Sequence, residues 1–185
     1  MLKISIVGLG LMGQQHLKAA NEHASCKVTS VIDNTETAKE IAIRKGIPYY
    51  SSLTNAIRET KPDGIIIATP NYQHFEDAWL SLEAGIPVLI EKPISDSLED
   101  GAKIVSQAEK LGVPILTGYH RRHNPIIYDI KEKLNSGFIG KIVAVHGMFW
   151  LYKPDEYFEK SWRKSNGAGP VYINLCHDID LMRYL

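Results

Sequence analysis

The sequence predicts a doubly wound parallel α/β sheet, followed by the first part of an α+β domain. Three observations carry this. Short runs that are apolar on both faces alternate with amphipathic helical patterns over residues 1–120, as strands buried between helix layers do. Several of the helical patterns close on a glycine followed by an apolar–proline pair. A Gly-x-Gly-x-x-Gly turn joins the first strand to the first helix.

The elements follow in order. LKISIV (2–7) is an apolar run bounded by Gly8, and Met12–Glu22 has a helical pattern. VTSVID (28–33), GIIIAT (64–69), PVLIEK (87–92) and PILTGY (114–119) are the further strands. Between them lie the helical patterns Glu36–Lys45, Ser52–Glu59, His74–Ala84 and Leu98–Leu111. Gly46, Gly85 and Gly112 stand just past three of these helices. Ser97 and Asp100 resemble a capping box with Asp in place of Glu. Residues 1–120 therefore form one domain with a βαβαβ rhythm.

After Tyr119 the rhythm changes. HRRHNP (120–125) is basic and ends in a helix-breaking pair, and Asn124–Asn135 can be a helix closed by Ser136 and Gly137. Lys141–Leu151 is expected to be a long strand with exposed edges, an aggregation or oligomerisation liability. Residues 152–170 read as a loop, and Val171–Leu185 as the start of a helix. One helix, one strand and a second helix do not close a core. Residues 121–185 are thus expected to be the front part of a substrate and oligomerisation domain, apparently truncated.

Composition narrows the function. With 44% hydrophobic and 23% charged residues, the chain reads as an ordinary globular protein. Its 21 basic and 21 acidic residues balance, so no footprint for nucleic acid or anionic lipid appears. Cys26 and Cys176 are 150 positions apart and form no metal spacing. The start of the chain lacks the pattern of a signal peptide, and no apolar run reaches the roughly 18 residues of a membrane span. A cytoplasmic location is the expectation. The seven histidines are scattered without metal spacing, so no metal is expected. No G-x-S-x-G, H-E-x-x-H or Walker A pattern occurs.

Three motifs carry chemistry. Gly8, Gly10 and Gly13, with Leu11 and Met12 between them, sit where a strand turns into a helix. The first glycine makes the turn, and the second lets backbone approach a pyrophosphate. The third allows close helix–strand packing, and the helix N-terminus faces the phosphates. Asp33, twenty residues beyond Gly13, ends the next strand and can accept from adenosine ribose hydroxyls. Asn34 and Thr35 offer no cation for a 2′-phosphate, which favours NAD over NADP. Thr69, Pro70, Asn71 and His74 follow another strand at the end where ligands bind in such sheets. Asn71 also suits a helix N-cap, and His74 suits a surface position. Glu91-Lys92-Pro93 ends a further strand, where the lysine would look into the nicotinamide cleft. Its ammonium can hydrogen-bond a substrate hydroxyl, and Pro93 restricts its backbone.

Taken in order, GLGLMG-x-x-H (8–16), ATPN-x-x-H (68–74), EKPIS (91–95), RRHNP (121–125) and Trp162-Arg163…His177-x-x-Asp180 resemble the glucose–fructose oxidoreductase / inositol dehydrogenase / rhizopine-catabolism (Gfo/Idh/MocA) family. The resemblance implies an NAD(P)-binding Rossmann domain and a C-terminal α/β domain with a large open sheet. It implies hydride transfer between nicotinamide and a carbinol carbon of a sugar, cyclitol or sugar derivative. In its terms Lys92 orients substrate and handles the hydroxyl proton, and His177 is the catalytic acid/base. Trp162 and Arg163 match a pair near the cofactor. Arg121 stands at the polar cleft edge. Asn174 and Asp180 share a helical face with His177, where Asn174 could bind substrate and Asp180 could orient the imidazole or pair with Arg183.

Two departures stand out. Many members carry Asp four residues before the histidine, where this chain has Ile173. Members also continue past the Arg-Tyr-Leu segment, adding strands and usually the homo-oligomer interface. An NAD-dependent glycosidase, or a non-catalytic NAD-binding module, are the alternatives. The former would release an aglycone without accumulating NADH.

Overall fold

The computed structural model describes residues 1–159, 161–164, 169 and 174–185, and the chain divides into two compact units, Met1–Thr117 and Gly118–Leu185. The first unit runs β1 (Leu2–Val7), α1 (Leu11–Glu22), β2 (Cys26–Ile32), α2 (Glu36–Arg44), β3 (Tyr49–Tyr50), α3 (Leu53–Thr60), β4 (Gly64–Ile67), α4 (His74–Glu83), β5 (Val88–Ile90), α5 (Leu98–Leu111) and β6 (Ile115–Thr117). All six strands pair in parallel, in the order β3-β2-β1-β4-β5-β6. The chain order reverses between β1 and β4. In such sheets, ligands bind at that point, outside the carboxyl ends of the strands.

The expected two-faced strands are what the core requires. Ile6 and Val7 are neighbours on β1 yet serve opposite layers. Ile6 packs with Leu17 of α1, Val31 of β2 and Ala42 of α2. Val7 packs with Ile65 and Ile67 of β4, Leu82 of α4, Ile90 of β5 and Ile104 of α5. Full burial of an aliphatic side chain contributes ~1.5–3 kcal/mol, so these layers hold the sheet between its helices. Ser97 caps α5 as anticipated, its Oγ accepting from the Asp100 N–H at 3.1 Å. Gly46, Gly85 and Gly112 follow α2, α4 and α5. Strand β3 was not foreseen; its two residues pair with Val31 and Ile32. Asn71 does not cap α4: it opens a short helical turn, Asn71–Gln73, and Gln73 occupies the capping position.

The second unit contains α6 (Pro125–Asn135) and α7 (Cys176–Tyr184). Asn124 caps α6 by accepting from the Ile126 N–H at 3.0 Å, and Pro125 fills the first helical position, where its missing N–H costs nothing. The Lys131 ammonium of α6 donates to the Tyr184 carbonyl of α7 at 2.6 Å. The strand expected over 141–151 does not form. A strand is held by a ladder of backbone hydrogen bonds, and among the described residues none pairs with this segment. Val143, Trp150 and Tyr152 lie largely exposed along it and just beyond. The loop over 152–170 includes two short helical turns, Asp155–Glu159 and Ser161–Lys164. Residues 171–173 of the last expected helix, Ile173 among them, lie outside the described residues, and α7 begins at Cys176.

Candidate functional site

The carboxyl ends of β1, β2, β4 and β5 carry the motifs of the first unit. Gly8 follows β1 with φ +83°, a backbone that favours glycine, and a Cβ there would lie 2.7 Å from the Thr69 nitrogen. Gly13 lies in the first turn of α1, where a Cβ would overlap the Gly8 carbonyl oxygen. Helix, turn and the segment after β4 are therefore in backbone contact. Gly10 differs: a Cβ there would meet nothing within 4 Å, so its side opens outward. Leu11 and Met12 begin α1 and are exposed. The first turn of α1 has no acidic side chain and no capping side chain, leaving its N–H groups available to an anion.

Asp33 stands just past β2 and holds this loop. Its Oδ2 accepts from the Leu9 N–H at 2.7 Å, while Oδ1 accepts from the Thr35 N–H at 2.8 Å and the Thr35 hydroxyl at 2.7 Å. A carboxylate offers about four acceptor positions, so about one remains, on Oδ2, for a ribose hydroxyl. Tyr49 adds a further tie, donating from its hydroxyl to the Asp33 carbonyl at 2.6 Å. The glycine turn, the uncapped helix start and the carboxylate together fit a dinucleotide: a close approach for its pyrophosphate, N–H donors for its charge and an acceptor for its ribose.

After β4, Thr69 donates its hydroxyl to Asp77 Oδ2 at 2.8 Å. Burial pushes the Asp77 carboxyl up to about 6; the Thr69 bond opposes this and the Glu76 charge adds to it. Pro70 and Asn71 are half-buried in the same turn. His74 is neither on the surface nor presented to a ligand. It is fully buried, with Nδ1 2.8 Å from the Pro93 carbonyl oxygen and Nε2 2.9 Å from the Thr69 carbonyl oxygen. Burial pushes its imidazole below the ordinary range, and the two carbonyls, Glu91 and Asp96 pull it back only in part. These demands compete. The neutral ring that burial favours satisfies one carbonyl, and only the imidazolium satisfies both.

After β5, Glu91 is buried, its Oε1 2.8 Å from His16 Nε2 and its Oε2 accepting from the Lys92 N–H at 3.3 Å. Burial pushes the Glu91 carboxyl up, but the His16 bond and charge and the neighbouring Lys92 more than offset it, holding the group below the usual carboxylate range. Lys92 is half-buried and followed by a cis bond to Pro93. The His16–Glu91 pair was not anticipated as a contact, although both residues lie in quoted motifs.

In the second unit, His177 of α7 is buried against two rings. His120 lies 4.9 Å away between centroids, at 67°, and Tyr119 6.1 Å away, at 88°. Asp180, on the same face of α7, does not pair with Arg183. Both its oxygens accept from Arg122, from Nε at 2.6 Å and from Nη2, so the guanidinium rather than the imidazole takes this carboxylate. Arg121 donates to Asp178 at 2.8 Å, and its guanidinium lies 5.9 Å from the Phe149 ring centroid. Asn174 is half-buried just before α7. Arg163 stacks 3.9 Å over Tyr157 and donates to the Tyr157 carbonyl at 2.7 Å. The side chain of Trp162 lies outside the described ones. Sequence reasoning missed His120 as a neighbour of His177; its position beside the basic pair was the one available signal. No cluster able to hold a metal occurs among the described residues.

Fold and turn geometry define a protein with a dinucleotide-binding Rossmann unit followed by a second α-helical unit. Residues 2–119 match the family model described as the oxidoreductase family with an NAD-binding Rossmann fold (GFO/IDH/MocA), and residues 127–185 match the GFO/IDH/MocA C-terminal domain. The chain belongs to the Gfo/Idh/MocA oxidoreductase family. Similar proteins include the rhizopine catabolism protein MocA of Rhizobium meliloti, 28% identical over 99% of this chain and 56% of its own length. Inositol 2-dehydrogenase of Corynebacterium glutamicum (strain R) is 30% identical over 80% of this chain and 45% of its own length. Among solved structures, an NAD-binding protein from Listeria innocua superposes with TM-score 0.82 at 30% identity, covering 100% of this chain and 54% of that one. The WlbA dehydrogenase of Bordetella pertussis, in complex with NADH and UDP-GlcNAcA, superposes with TM-score 0.90 at 25% identity, covering 100% and 55%. The chain thus spans about half the length of these relatives.

Proposed function

We propose that the protein is an NAD-dependent oxidoreductase acting on a carbinol carbon of a sugar, cyclitol or sugar derivative. The observation that carries this is the junction at Leu9, where the carboxylate after β2 holds the glycine turn by its N–H. That arrangement ties the ribose acceptor to the pyrophosphate loop, so both halves of the adenosine diphosphate are met by one preorganised unit. The relatives named dehydrogenases support the activity, and the matched family supports the cofactor.

In this reading Gly8, Gly10, Leu11, Met12, Gly13, Asp33, Thr69, Pro70 and Asn71 form the cofactor cradle. Residues 1–120 serve as the nucleotide domain and 121–185 as the start of the substrate domain. NAD, when bound, supplies the hydride acceptor. Lys92 polarises the substrate hydroxyl oxygen, and His177 accepts the hydroxyl proton at a ring nitrogen. Arg121 and Asn174 contact substrate, while Trp162 and Arg163 border the cofactor. Asp180 contributes indirectly, by fixing Arg122 beside α7. The partner is a small polyol or sugar, and a cytoplasmic, homo-oligomeric protein completes the proposal. No helix among the described residues is long and apolar enough to cross a membrane.

A panel of polyols, sugars and sugar nucleotides is incubated with NAD or NADP and followed at 340 nm, for wild type, Lys92→Ala and His177→Ala. At least one substrate is expected to reduce NAD, with each variant losing ~100-fold or more in kcat. Unchanged turnover in both variants would remove the roles assigned to these residues.

A further inference from the structure

A polar side chain buried in an apolar layer is tolerated only when its hydrogen bonds are made. His74 has backbone carbonyls as its partners and meets that condition in full only as the imidazolium, which donates to both; the neutral ring donates to one. Its two ring nitrogens reach the Thr69 and Pro93 carbonyl oxygens at 2.9 and 2.8 Å, and its exposure is 0%. These carbonyls belong to the two segments that leave the sheet after β4 and β5. The first is also tied by its side chain, since the Thr69 hydroxyl donates to Asp77 in the first turn of α4. The second carries Lys92, whose own N–H is held by the buried Glu91 carboxylate at 3.3 Å. Lys92 therefore stands between two backbone anchors: Glu91 on its N–H, and His74 on the carbonyl of the next residue.

We propose that His74 is a positioning residue: its imidazole clasps the Thr69 and Pro93 carbonyls together and so sets where the end of β5 presents Lys92, touching neither cofactor nor substrate. The inference rests on the role proposed above for Lys92. An imidazole suits the task because its nitrogens lie on opposite edges of a rigid ring, so the imidazolium ties both segments with one side chain, whereas the neutral ring ties one. The charged groups that face it, Glu91 and Asp96, both favour the ring as a donor.

The test uses His74→Phe, which keeps a ring but has no nitrogen, and His74→Gln, whose donors sit at one end only. Hydrogen exchange read by mass spectrometry reports the clasp independently of turnover. In His74→Phe, exchange of segments 68–73 and 91–96 is expected to rise about tenfold or more while β1 and β6 keep their protection. His74→Gln is expected to loosen one of the two segments more than the other. If His74→Phe does not fold, the His74→Gln pattern decides. Exchange that stays unchanged in both segments, or rises evenly over the whole first unit, overturns the clasp.

Turnover tests the link to Lys92. His74→Phe is expected to lower kcat about tenfold or more with KM for NAD changed less than about threefold. In a Lys92→Ala background, His74→Phe is expected to cause no further loss, because it acts through the missing lysine. Losses that multiply instead overturn the positioning role. If wild type reduces no NAD with any substrate, the proposed function fails, while the exchange pattern still decides whether the clasp exists.

Discussion

Replacing Asp77 with asparagine removes a charge from the first turn of α4 while keeping an oxygen that can accept the Thr69 hydroxyl, now 2.8 Å from Asp77 Oδ2. Burial pushes the Asp77 carboxyl from 3.8 up to about 6. Because the folded value is raised, the favourable contribution of the protonated form is fully present below about pH 4. It is lost as pH rises through about 6. A gap of about two units corresponds to about 3 kcal/mol at neutral pH, an upper figure because the carboxyl is not wholly shielded from water. Asparagine does not ionise and escapes this cost. In urea unfolding, Asp77→Asn is expected to be more stable than wild type at pH 8 by up to about 3 kcal/mol. The gap should be roughly half as large at pH 5 and close to nil at pH 4. A stability difference that is the same at pH 5 and pH 8, or a variant less stable than wild type at pH 8, refutes the reasoning.

Other consequences can be checked directly. Gly13→Ala puts a Cβ into the Gly8 carbonyl oxygen, so the turn must move; calorimetric titration should show NAD affinity reduced about tenfold or more. Arg122→Ala leaves the buried Asp180 without its guanidinium and should destabilise the second unit by ~1–3 kcal/mol in denaturant unfolding. Adding Asp180→Asn should restore part of that loss, because it removes the orphaned charge.

Much of the first unit was legible because its signals are local. Apolar runs, glycine after helices and Ser97 as a cap each act within a few residues of the position they determine. The glycine turn and Asp33 were legible too, although the Leu9 N–H bond that joins them was not. What escaped depends on partners distant in the chain. Tyr49 and Tyr50 carry too little pattern to predict a strand, and become one only through Val31 and Ile32. The residues 141–151 have strand-like composition, but composition does not supply a partner, and no ladder forms among the described residues. His74 reads equally as surface or site until Thr69 and Pro93 are seen on either side of it. Asp180 was matched with a neighbour one helical turn away, whereas its partner, Arg122, lies 58 residues earlier.

The most direct test of the central claim is calorimetric titration of the protein with NAD and with NADP, in wild type and in Asp33→Ala. The account predicts that wild type binds NAD about tenfold or more tightly than NADP, a discrimination of ~1.4 kcal/mol from the carboxylate facing the 2′ position. In Asp33→Ala the two affinities should converge as NAD binding weakens. Equal or tighter binding of NADP by wild type, or no binding of either dinucleotide, would contradict it.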